Sequence, residues 1–141
     1  MGNTYSHGRN DAALSPAAIA LPAGSATTVN SASIDLAGVT PLTAQFELEL
    51  VTASATLNTT ALPNSQTITF TIEESTDDSS FTPLHVLSEA TMTGAGGAGD
   101  TPNTVYTRLP SDVSRYVRVS AVTSASSGDC SAATMTLKAL F

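Results

Sequence analysis

The feature that most restricts how this chain can fold is a period of two in its apolar residues, written in three separate stretches. In residues 45–51, Phe46, Leu48 and Leu50 alternate with Glu47 and Glu49. In residues 67–73, Ile68, Phe70 and Ile72 alternate with Thr67, Thr69 and Thr71. In residues 115–122, Val117, Val119 and Ala121 lie on one face of an extended chain, with Tyr116, Arg118 and Ser120 on the other. A helix would scatter these side chains around its circumference, whereas a strand gathers them on one side. The valine side of the last stretch is the core side. Each buried valine contributes about 2 kcal/mol, while burying Arg118 without a partner would cost roughly 2–7 kcal/mol or more.

The remaining strands are shorter and are separated by Gly, Pro and Asn. Residues 17–21 read as a strand closed by Pro22-Ala23-Gly24, and residues 26–36 as a longer one carrying Val29, Ile34 and Leu36. Residues 81–87, 104–109 and 132–140 follow, the last with Ala133, Met135, Leu137 and Ala139 on one face. About eight strands without an amphipathic helix predict an all-β fold, a two-sheet antiparallel β-sandwich of jelly-roll type. An immunoglobulin-like sandwich is the rival, but the Cys and Trp that often mark it are missing, because the chain holds no Trp and one Cys. A length of 141 residues fits one domain over 16–141, preceded by a polar arm over 1–15 with no apolar periodicity. That arm is either flexible or ordered by a partner, for which Tyr5, His7 and Arg9 are its aromatic and cationic anchors.

Composition removes several functions. Five Lys and Arg residues against a net charge of −7 leave too few cations for a direct nucleic-acid ligand. No apolar run approaches a membrane span, and residues 1–10 lack the apolar centre of a secretion signal, so a cytosolic origin is expected. Cys130 stands alone, which rules out an intrachain disulfide, and no His or basic residue beside it would activate a thiolate; it reads as a small, part-buried side chain near a strand start.

One motif matches chemistry in letters only, and the other candidates lack even the spacing. Gly94-Ala95-Gly96-Gly97-Ala98-Gly99 spells a phosphate loop, yet Asp100-Thr101-Pro102 follows in place of a helix, so a flexible loop is expected. The run from Glu73 to Ser80 is rich in oxygen ligands but has no EF-hand spacing, and reads as a solvated turn. His7 and His85 share no metal-ligand spacing. No Gly-x-Ser-x-Gly turn exposes a nucleophile. No metal, cofactor or catalytic group is therefore expected.

The basic residues are more informative. Arg108, Arg115, Arg118 and Lys138 all lie in the last third of the chain, within or beside strands. Two readings stand: a cationic docking stripe across neighbouring strands, or cross-strand pairs with the protein's own carboxylates.

One resemblance extends across most of residues 26–141. Ile72-Glu73-Glu74-Ser75-Thr76-Asp77-Asp78-Ser79-Ser80-Phe81-Thr82-Pro83-Leu84, then Leu109-Pro110 and Arg115-Tyr116-Val117-Arg118-Val119, resemble the small cement, or decoration, proteins of tailed-phage capsids. Ile34-Asp35-Leu36 and the final Leu137-Lys138-Ala139-Leu140-Phe141 fit the same order. The resemblance implies a non-enzymatic jelly roll that forms homo-oligomers, dimers or trimers. It would sit on the outer face of the virion and tie major capsid protein subunits together after assembly in the host cytoplasm. Residues 1–25 match no motif of that pattern. With that function, Arg115, Tyr116 and Arg118, together with Tyr5, His7 and Arg9, become the expected protein contacts. The same turn and Arg-Tyr-Val-Arg strand also resemble discoidin-type carbohydrate-binding jelly rolls, but a sugar site favours aromatic platforms and the chain has three Tyr and no Trp.

Overall fold

The computed structural model describes residues 14–36 and 47–140. Residues 1–13 of the N-terminal arm, with Tyr5, His7 and Arg9, and the predicted inward Phe46 lie outside the described residues, whereas Leu14 near the arm's end is buried in the core.

Among the described residues ten strands are formed: β1 (Ile19–Ala20), β2 (Thr28–Asn30), β3 (Ile34–Asp35), β4 (Glu47–Val51), β5 (Thr67–Ser75), β6 (Thr82–Val86), β7 (Met92–Thr93), β8 (Thr104–Arg108), β9 (Tyr116–Thr123) and β10 (Thr134–Leu140). They make two antiparallel sheets. The first runs β1-β10-β4-β8 and the second β2-β9-β5-β6, with β3 also on β9 and β7 also on β5. Pairing is nested: β1 with β10, β2 with β9, β4 with β8, β5 with β6. A chain folded back on itself in this order and wrapped into two sheets is a jelly-roll sandwich, as expected.

The alternating stretches explain the core. Leu48 and Leu50 of β4, Ile68, Phe70 and Ile72 of β5, Val117, Val119 and Ala121 of β9, and Met135, Leu137 and Ala139 of β10 are all buried. Their registers stack them in rows, with Leu50 between Leu137 and Val105, and Phe70 opposite Ala121. Small Ala121 beside large Phe70 in the same sheet leaves that ring room to lie in the core, where both are fully buried.

Three details differ from the sequence reading. The expected strand over 26–36 breaks into β2 and β3, because Ser31 turns inward and its hydroxyl accepts the Val119 N–H at 3.0 Å where a ladder bond would otherwise run. β7 is an added strand of two residues, which follows a single 3₁₀ turn at Ser88–Ala90. The glycine loop is held rather than flexible. The Gly97 N–H donates to Asn64 Oδ1 at 2.8 Å, the Thr59 hydroxyl donates to the Gly97 carbonyl, and Leu57 and Asp100 exchange backbone bonds at 2.9 and 3.0 Å. Glycine is required at 99, where φ is +73° and a Cβ would run into the Leu57 carbonyl.

Candidate protein-contact site

The two sheets place the four C-terminal cations in different surroundings. Arg108 lies on β8 and Lys138 on β10, flanking β4 in the first sheet, whereas Arg118 lies on β9 and Arg115 just before it in the second. They therefore form no single stripe. Three of them face a carboxylate by register instead. Lys138 is opposite Glu49, with Nζ to Oε1 at 3.7 Å, Arg108 is opposite Glu47, and Arg118 is opposite Glu73. Of the two readings left open by the sequence, cross-strand pairing is the one that the geometry favours.

Arg118 is fixed on two sides. Its Nε donates to Glu73 Oε2 at 2.7 Å, and its guanidinium carbon lies 3.8 Å from the centre of the Phe81 ring. With side-chain exposures of 24% and 17%, this pair is half-buried and orders the bulged β5–β6 edge. Arg115 is more open. Its Nε and Nη2 grip both oxygens of Asp35 at 2.9 and 2.8 Å, and its guanidinium lies over the Tyr116 ring at 5.0 Å. Half of the Arg115 side chain stays in solvent, so this fork is a surface feature. The expected contacts Arg115, Tyr116 and Arg118 thus fall on one strand and its approach, with Arg115 and Tyr116 adjoining and Arg118 turned to its own partners.

Sequence reasoning missed a second cluster on the opposite sheet. The outer face of β10-β4-β8 carries three rows: Leu140, Glu47 and Arg108; Lys138, Glu49 and Tyr106; Thr136, Val51 and Thr104. Tyr106 is 55% exposed although it sits mid-strand. Its hydroxyl bonds to the Glu49 carboxylate, and that bond together with the Glu49 charge pushes the phenol above its ordinary pKa. The signal was present in residues 104–109, where outward parity falls on Thr104, Tyr106 and Arg108. No partner strand could be assigned from sequence alone, so the row itself stayed invisible.

The open side of the sandwich, between edge strands β6 and β8, forms a groove of about 390 Å³. Ile72, Leu84 and Leu109 give it an apolar floor, and His85, Thr107 and Arg108 are its polar lining side chains. Leu84 and His85 both reach it because the register shift opposite Ile72 and Glu73 inserts an extra residue into β6. His85 is the titratable side chain of this lining besides Arg108, and no carboxylate is among the lining residues.

No protein-family model matches this chain, and no curated protein matches it.

Among the described residues, no three His, Cys, Asp or Glu side chains gather where a metal could be held. The acidic turn is spent on its own backbone. Asp77 Oδ1 accepts the Ser80 and Ser79 N–H groups at 2.9 and 3.0 Å and the Ser75 hydroxyl at 2.8 Å. Those donors hold the Asp77 carboxyl far below the usual carboxylate range. Cys130 is buried, and its thiol donates to the Ala61 carbonyl at 3.3 Å. Burial, with the Asp129 charge next to it, pushes that thiol up and away from nucleophilic use.

Proposed function

We propose that this chain is a non-enzymatic structural protein of the virion, which binds the outside of a tailed-phage head and stabilises contacts between major capsid subunits. The specific assignment rests on the order of motifs from Ile34 to Phe141 that resembles capsid cement proteins. The observation that best supports a binding role is the outer face of the β10-β4-β8 sheet. There a half-exposed tyrosine is set among two carboxylates and two cations, all on rigid strands. Aromatic and Arg side chains carry most of the energy at protein interfaces, and many weak copies on one shell add by avidity. Arg115 and Tyr116 supply a second contact of the same chemistry on the other sheet.

A glycan-binding role has less support. Tyr106 and Tyr116 belong to different sheets, and so they form no joint platform for a sugar ring. The test is to add the purified chain to expanded shells that lack it and follow their disruption by heat. Decorated shells should survive to a higher temperature than bare ones. Equal survival, or failure of the chain to sediment with shells, would sink the assignment.

A further inference from the structure

A sheet edge that can accept another strand is usually blunted by brevity, proline, a bulge or a charge. Among the described residues, three of the four terminal strands are blunted. β1 has two residues, β2 has three and is cut off from β3, and β6 carries Pro83 and a shifted register. β8 is the exception. Its sequence Thr104-Val105-Tyr106-Thr107-Arg108 is made of strand-forming residues and pairs with β4 in five unbroken steps, and no described strand lies beyond it. Pro102 and Pro110 lie outside the strand and bound the length open for pairing.

We infer that β8 is a homodimerisation edge, on which β8 of a second copy pairs antiparallel about Tyr106 to join two four-stranded sheets into one of eight. A two-fold axis through Tyr106 makes the edge complementary to itself. Tyr106 faces its copy, Thr104 faces Arg108 of the copy, and Val105 faces Thr107 on the core side. Each Arg108 then lies diagonal to the facing tyrosine, within reach of its ring. Charge permits the approach. The chain carries −7 in total, yet the outer face behind this edge balances Glu47 and Glu49 against Arg108 and Lys138. The exposed Tyr106 ring, at 55%, is the apolar surface that pairing would cover. This inference does not depend on the capsid as partner.

The contact is short and belongs with weak interfaces below about 1,200 Å². The full chain should therefore pass from monomer to dimer at roughly 10–100 µM in sedimentation equilibrium. Tyr106→Lys places a charge against its own copy and should raise the dissociation constant by at least about tenfold, with circular dichroism and melting unchanged. Val86→Lys, at an equally exposed site on blunted β6, should leave it unaltered. Register is read separately. Mild oxidation of Tyr106→Cys should yield a disulfide-linked dimer, since facing strand positions are about 4.5–5.5 Å apart, and Val86→Cys should not. A chain that remains monomeric to about 1 mM, equal weakening by the two lysines, or equal cross-linking at the two positions would each overturn the inference.

Discussion

A single added carbon at Gly99 would meet the Leu57 carbonyl in a backbone conformation that already disfavours it. Gly99→Ala should therefore cost about 3 kcal/mol, whereas Gly96→Ala, at positive φ but in open space, should cost about 1 kcal/mol, both read from urea midpoints. Asp77 gives a pH signature. Its carboxyl is held down by the Ser80, Ser79 and Ser75 donors, so the folded pKa lies below the unfolded one. A depressed carboxyl contributes stability in full above about pH 4, and that contribution is lost as pH falls through the folded value. The wild-type chain should therefore outlast Asp77→Asn at neutral pH, and the gap should narrow in acid. A gap that stays constant from neutral to strongly acidic solution would show that the turn owes nothing to the charge.

At the scale of the strand, the face assignment of β9 is directly testable. Val119→Thr puts a hydroxyl of the same shape among Ile72 and its neighbours and should cost about 1–3 kcal/mol. Arg118→Met removes the guanidinium from over Phe81 and strands Glu73, and since the pair is part-buried the cost should be about 1 kcal/mol or a little more. Both are measured by equilibrium denaturation. The alternation that placed Val117, Val119 and Ala121 inside was legible because a period of two is set by the backbone itself. Strand partners were not legible. Arg118 opposite Glu73 and Lys138 opposite Glu49 are contacts between residues 45 and 89 positions apart, decided by which strands share a sheet. The same ignorance hid the Lys138, Glu49 and Tyr106 row. It also let residues 94–99 read as flexible, because their anchors, Asn64 and Thr59, lie more than thirty residues upstream.

Across the whole molecule, one buried thiol reports on how often the sandwich opens. Cys130 is sealed against Ala61, so a thiol reagent should label it only through opening events. Labelling of the native chain should be at least about a thousandfold slower than in denaturant. Rapid native labelling would mean that the segment before β10 frays on its own. Variants such as Val119→Thr, if they lower global stability, should accelerate labelling in proportion.

The nested pairing also governs when the protein can exist at all. β1 finds its partner in β10, and β2 in β9, so the earliest-made strands wait for the latest. A nascent chain still attached to the ribosome holds its first strands without their mates, and closure begins after the residues up to Leu140 have emerged. Such sequence-distant pairing belongs to the slow end of folding, in milliseconds to seconds. Until then the unpaired strand edges are open to pairing with other copies, which makes the interval before closure the one most exposed to aggregation.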